Sequence, residues 1–338
     1  MTRVLAVDGG QSAIRVRHSA GSTEIAVEGV SRQEGDTVGA VSDAVLEGWR
    51  RLGGPPVDRA VLGLTTAPTD AAAADRLCRA VAAGTGAAEV WLADDAVTTH
   101  AGALALGWGV SITAGTGVAC LALPRAGEPR VIGGHGFLLG DEGGAFWIGR
   151  EGVRAVLRAA DGRGPDTALT EAAAARFDGV ADLGERLHSI ERPVNAIAHF
   201  APDVFAAAAQ GDAVAAAIVA EAARELALLA AAGVAAAGVA AAAGVAAAAG
   251  VAAARGRGTD RVAAAAGGSG LVPVALGGRL LAPGSGLRTR LDRTLRSDVP
   301  AAAPMDAQGT PLDGAMAMGL APDPGRYATL VTTWKGAP

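Results

Sequence analysis

An unbroken apolar run, "VLAV" over 4–7, gives way at Asp8-Gly9-Gly10 to an alternation in which Ile14 and Val16 are set against Arg15 and Arg17. A continuous run fits a strand buried on both faces. Alternation fits a half-exposed one, so the two segments and the glycine-rich turn between them predict a hairpin. Residues 22–27 predict a third strand. Over 38–52, Val41, Val45, Leu46 and Trp49 recur at helical spacing. "RAVLGLTTAP" then predicts a buried strand ending at Thr65-Thr66, 71–83 a helix, "AEVWLADDA" a strand ending in acids, and 96–105 a helix. The pattern restarts with "GVSITAGTGVACLAL", two strands around a Gly-Thr-Gly turn, followed by "PRVIGGHG". A mostly helical stretch over 145–229 and a late strand in "LVPVALGGRLL", ending at Gly277-Gly278, complete the second half. Two α/β halves that each open with a glycine-turned hairpin predict a duplicated architecture with a cleft between them.

Composition adjusts this picture at a few points. A chain of 338 residues, half of them apolar, is long enough for about two domains with their own cores. A net charge of -5 and a pI near 5.6 leave no basic excess to neutralise phosphates, so a nucleic-acid partner is not expected. Cys78 and Cys120 are the only cysteines, too few for a disulfide framework or a zinc cluster. No basic segment followed by an apolar one opens the chain, and the expectation is a cytoplasmic protein without a membrane span. The uncharged Ala-Gly-Val stretch over 226–254 has the length of a span but little of its leucine content. It reads as a low-complexity insertion after the helix "AAIVAEAARELALLAAA", its conformation open because alanine favours helix and each glycine opposes it.

Three strand-end glycine turns carry candidate chemistry: Asp8-Gly9-Gly10, Gly115-Thr116-Gly117 and Gly277-Gly278. Glycine lets backbone approach a ligand closely, and successive N–H groups in such turns can cradle an anion. Neither the Walker loop nor the Rossmann spacing is present, since no Gly-Lys-Ser/Thr follows and the first turn leads into a strand. Acids also gather at strand ends: Asp8, Asp94-Asp95, and Asp141-Glu142 in "GDEGGAFWIGR". Phosphoryl transfer needs Mg²⁺ near the phosphates and a carboxylate to orient and deprotonate the attacking hydroxyl. Asp141-Glu142 could equally cap the helix that follows. Of the tandem pair, Asp94 rather than Asp95 reads as a solvated strand-end or N-cap acid.

"VDGG", "ADDA", "AGTG", "GGHGFLLGDEGGAFWIGR", "VALGG" and "PLDGAMAMGLA" together resemble, in order and over nearly the whole chain, the N-acetylglucosamine kinase and BadF/BadG-type ATPase family of the actin-like ATPase and sugar-kinase superfamily. "GDEGGAFWIGR" is the most specific piece. The resemblance implies an α/β fold of two ribonuclease-H-like domains (actin-like ATPase fold) with an interdomain cleft holding ATP and sugar. The domains would cover 1–111 and 112–310, with an Ala/Gly-rich insertion near 230–268 and a helix near 311–320 returning to the first. The implied activity is ATP-dependent phosphorylation of the 6-hydroxyl of N-acetylglucosamine or glucosamine, with Mg²⁺. Asp95 would match the base; Asp8, Gly9, Gly10, Gln11 and Ser12 the first phosphate turn, with Asp8 facing the metal through water. Gly115, Thr116 and Gly117 would match the second phosphate turn, Gly277 and Gly278 the adenosine turn. Thr116, Gly134, His135, Asp141 and Ala145 would join Asp95 on the sugar.

The chain departs from the family pattern at several points. The first turn continues as Gln11-Ser12-Ala13-Ile14, without the usual lysine, which leaves phosphate positioning to the backbone and Ser12. His135 stands where a tryptophan is common, and Arg32 or Gln33 where an asparagine is. Other readings are another hexose kinase, a sugar sensor, or an ATPase that activates a partner enzyme, as relatives do for 2-hydroxyacyl-CoA dehydratases. That last role would require a cysteine-held iron–sulfur cluster shared between subunits. Homodimerisation stays open.

Overall fold

In a computed structural model, residues 2–30, 36–238 and 270–336 are described, and they divide into two units. Unit 1 holds residues up to Ser111, Leu123–Arg130 and the segment from Ala307 onward; unit 2 holds Ile112–Ala122 and Val131–Asp306.

Unit 1 is built on β1 (Val4–Gly9), β2 (Ala13–His18), β3 (Glu24–Glu28), β4 (Arg59–Leu64), β5 (Glu89–Asp94) and β11 (Val331–Lys335), in the order β11-β5-β4-β1-β2-β3. β1 pairs antiparallel with β2 and parallel with β4, and β4 pairs parallel with β5. The apolar runs belong to strands covered on both faces: all six residues of β4 and the first four of β1 are buried. On one face, Leu5, Val7, Ile14, Leu62, Leu77 and Val81 form a core with α1 (Thr37–Arg51) and α2 (Ala71–Thr85). On the other, α11 (Pro311–Leu320) packs on β1 and β4 and on α3 (Asp95–Ala103).

Unit 2 carries β6 (Gly109–Ala114, begun in unit 1), β7 (Val118–Leu123), β8 (Arg130–Val131), β9 (Val272–Gly277) and β10 (Ala302–Asp306), in the order β10-β9-β6-β7-β8. That is the order β5-β4-β1-β2-β3 of unit 1 repeated, with β11 the addition to the first sheet. The stretch expected to be helical over 145–229 is six helices, α4 (Ala145–Ala160), α5 (Leu169–Arg176), α6 (Leu183–Ser189), α7 (Pro193–Ala198), α8 (Ala201–Ala209) and α9 (Ala213–Gly238), and α10 (Gly286–Asp298) packs on α9.

Boundaries differ from expectation in small, explicable ways. β3 begins at Glu24, because Ser22 and Thr23 lie in the irregular link that follows the turn at Ser19-Ala20. β4 closes at Leu64, before the two threonines. α3 ends at Ala103, and the chain turns through Ala105 and Leu106 in left-handed backbone, φ 47° and 63°. The Ala-rich run is helical as far as Gly238. Its remainder, most of the expected insertion near 230–268, lies outside the described residues, as do Arg32 and Gln33. Among the described residues, no helix is long and apolar enough to cross a membrane.

Candidate active site

In unit 1 the site grows from the ends of three adjacent parallel strands. Asp8 and Gly9 are the last residues of β1, and Gly10, Gln11 and Ser12 form the turn, whose Gly10 N–H donates to the Ala13 carbonyl at 2.9 Å. Antiparallel register sets Arg15 opposite Asp8, and the guanidinium lies 3.6 Å from the carboxylate. Burial still holds the Asp8 carboxyl above its usual range, with Arg15 opposing and Glu24 adding to the shift.

At the end of β5 the two aspartates separate in role. Asp94 is the N-cap of α3, its Oδ1 accepting the Ala96 N–H at 3.0 Å. Asp95 is the first helical residue, and its Oδ2 accepts the Thr65 hydroxyl proton at 2.5 Å. Burial first, then the charge of Asp94, pushes the Asp95 carboxyl up to about 7; Asp8 adds to the shift and the Thr65 hydroxyl opposes it. A carboxyl poised near neutrality can take a proton at physiological pH. Thr65 also donates its backbone N–H to the Gly9 carbonyl at 2.9 Å.

In unit 2 the candidate residues surround the β6–β7 turn. Gly115 N–H closes that turn on the Gly117 carbonyl at 2.9 Å. The first N–H groups of α4 dock on it from outside: Ala145 donates to the Gly115 carbonyl at 2.8 Å and Phe146 to the Thr116 carbonyl at 3.0 Å. Asp141, in left-handed backbone at φ 59°, lays its carboxylate over Gly117, where a Cβ would come within 2.5 Å of Oδ2, and Oδ1 accepts the Val118 N–H at 3.3 Å. Its carboxyl is shifted up by burial, with Val118 and His135 opposing. Helix capping is therefore not what Asp141 does: the N-cap of α4 is Gly144, without a side-chain hydrogen bond. At Gly278, with φ 84°, a Cβ would stand 2.3 Å from the Ala114 carbonyl oxygen, so the β9 turn touches the end of β6 just before Gly115. Gly134 and His135 lie exposed on the loop leading to Asp141.

The structure thus brings Asp8, Gly9, Gly10 and Asp95 together in unit 1, and Gly115–Gly117, Asp141, Ala145 and Gly278 in unit 2. Sequence reasoning passed over Arg15, recoverable from hairpin register, and the roles of Thr65, whose partners are 56 and 30 positions away in the chain, a separation that leaves no local signal. Cys78 and Cys120 are buried, and burial pushes their thiols up to about 11 and about 12, away from the thiolate form that binds metal.

A relative from Clostridium acetobutylicum, named N-acetylmuramic acid/N-acetylglucosamine kinase, is 27% identical over 177 residues, 50% of this chain and 58% of the relative. A Dictyostelium discoideum N-acetyl-D-glucosamine kinase is 45% identical over 64 residues, 19% of this chain and 20% of that protein. The chain therefore spans little more than half the length of the first of these relatives and a fifth of the second. The structure of a candidate N-acetylglucosamine kinase from Chromobacterium violaceum superposes with a TM-score of 0.63 at 23% identity, covering 94% of this chain and 99% of the other. That likeness is one of fold alone. Residues 4–256, three-quarters of the chain, match the BadF/BadG/BcrA/BcrD ATPase family, and the protein belongs to it.

Proposed function

We propose that this protein is an ATP-dependent sugar kinase that phosphorylates the 6-hydroxyl of N-acetylglucosamine or glucosamine. The observation that carries the reading is Asp95: a half-buried carboxyl at the first position of α3, set near neutrality, one strand removed in the sheet from the strand that ends at Asp8-Gly9.

Mg²⁺ fits the residues present. Asp8 offers a hard oxygen donor, and among the described residues no group of three or more His, Cys, Asp or Glu could hold an ion unaided. Mg²⁺ takes most of its ligands from phosphates and water, with one or two carboxylates from protein. Bound Mg²⁺–ATP would supply the phosphoryl group and neutralise the charge that develops on transfer. Asp95 accepts the proton of the sugar hydroxyl as that oxygen attacks, and the N-terminal end of α3 favours the ionised carboxylate before the step. Gly10 and Gly115 spend their N–H groups closing their own turns. In unit 1 the donors we assign to phosphate oxygens are accordingly the N–H groups of Gln11 and Ser12; in unit 2, taken by itself, the N–H groups of Thr116 and Gly117 are the ones left to an anion. Thr116 and Asp141 provide a hydroxyl and a carboxylate for the sugar's ring hydroxyls. Since the Ala145 N–H is taken by Gly115, Ala145 meets substrate through its methyl group.

The test is a panel of hexoses and amino sugars with Mg²⁺–ATP, scored for ADP release and for the position of the new phosphate ester by phosphorus NMR. Sugar-dependent ADP release with a 6-phosphate is expected, abolished in Asp95→Asn while ATP still binds. ADP release that ignores every sugar would overturn the kinase reading in favour of a plain ATPase.

A further inference from the structure

Two of the contacts of Thr65 run in opposite directions. Its backbone N–H donates to the Gly9 carbonyl at 2.9 Å, tying it to the residue beside Asp8, and its hydroxyl donates to Asp95 Oδ2 at 2.5 Å, tying it to the first residue of α3. The backbone of Thr65 is held by the sheet: the preceding residue, Leu64, is paired in register with both Gly9 and Asp94. Threonine is stiff about χ1, so a fixed backbone fixes the hydroxyl as well. The χ2 torsion of an aspartate, in contrast, is broad, and without a partner its carboxylate plane is poorly defined.

We propose that Thr65 is a positioning residue of the phosphoryl-transfer site: it holds Oδ2 of Asp95 from the β1–β4 strand ends, so that Oδ1 is aimed at the sugar hydroxyl. The inference rests on the reading of Asp95 as the base. The charged groups around that carboxylate are Asp94, on the same turn, and Asp8, which is itself paired with Arg15. Asp94 shares a hydrogen bond with Asp95 only while one of the two carboxyls carries a proton, whereas the Thr65 hydroxyl donates to the ionised base and holds its Oδ2. Together with the backbone bond from Thr65 to Gly9, this hydrogen bond links the Asp8-Gly9 turn to the base through one residue.

Thr65→Val keeps the shape and removes the hydroxyl. It is expected to lower kcat roughly 10- to 100-fold while KM for sugar and for ATP stays within about threefold, since misaimed groups cost rate more than binding. Thr65→Ser returns the hydroxyl and is expected to recover kcat to within about fivefold of the wild type. Melting temperatures of both variants report whether they fold, and Thr65→Ala takes the place of the valine variant should that one not. A valine or alanine variant with wild-type kcat, a loss confined to KM, or a serine variant as impaired as the valine overturns the positioning role. Asp95→Asn keeps the two readings apart. If it is inactive while Thr65→Val is fully active, only the role of Thr65 falls; if it is fully active, the base assignment falls and the positioning role with it.

Discussion

At Asp95 several modest effects are outweighed by one large one. The first position of a helix favours a carboxylate by about 0.3–1 kcal/mol, less than one pKa unit at 1.36 kcal/mol each. The Thr65 hydroxyl works in the same direction, yet burial and the neighbouring Asp94 carry the carboxyl up to about 7. A base must be ionised to act, so the sugar-dependent rate is expected to rise about tenfold per pH unit below 7 and to level off above it, as a pH profile of kcat would show. The same shift has a cost in stability. The folded carboxyl holds its proton more tightly than the unfolded one, so the stabilisation from that proton is complete below about pH 4 and is lost as pH rises through 7, where the cost appears. Asp95→Asn is expected to melt several degrees above the wild type at pH 8, with the gap closing as pH falls towards 4. Much of this site is legible in the residues: a tandem acid at a strand end, with the first acid capping the helix and the second turned inward. Thr65 was not legible, because a threonine after a strand is common and nothing local distinguishes the one that meets an aspartate 30 positions later.

Among the elements, the contact between α3 and α11 sets the strictest condition. Both helices approach through glycine: a Cβ at Gly102 would stand 2.1 Å from the Thr310 carbonyl oxygen, and one at Gly314 would stand 1.9 Å from the Thr98 carbonyl oxygen. Neither neighbour is a flexible side chain that could yield, so the backbones themselves must separate. Gly314→Ala is expected to destabilise unit 1 by roughly 1–3 kcal/mol or more, lowering the melting temperature by about 5 °C or more. It should also lower kcat, because α3 carries Asp95. Thermal melts alongside kinetics check both effects. In unit 2, Gly278→Ala meets left-handed backbone as well as the Ala114 peptide, and the expected loss is of similar size. Which elements the sequence announces follows from burial. β1, β4 and β5 are covered on both faces and read as apolar runs, whereas β10 and β11 leave most residues partly exposed, one includes a proline, and neither alternates clearly. The capping alternative for Asp141 failed for a different reason: a left-handed residue four positions before the first residue of α4 turns its carboxylate onto the β6–β7 turn, a contact that depends on tertiary structure alone.

For the molecule as a whole, the repeated strand order of the two sheets accounts for the duplicated pattern of the sequence, and β11 and α11 mark where the copies differ. Segment 307–336 supplies unit 1 with a helix over β1, β4 and α3 and with the strand that covers β5. Arg17 reaches Asp313 at 2.7 Å, and the buried His100 holds the Tyr327 hydroxyl at 2.8 Å. A chain ending at Asp306 is expected to leave unit 1 open to protease while unit 2 retains its protection, as limited proteolysis with mass mapping of the fragments would reveal. The arrangement also fixes an order of events during synthesis. On the ribosome every strand of unit 2 has emerged before the helix and edge strand that complete unit 1, so the half of the protein made first is finished last. The nascent first half therefore waits through about 200 residues of translation with the apolar face of β1 and β4 uncovered, an interval in which a holding chaperone would find it.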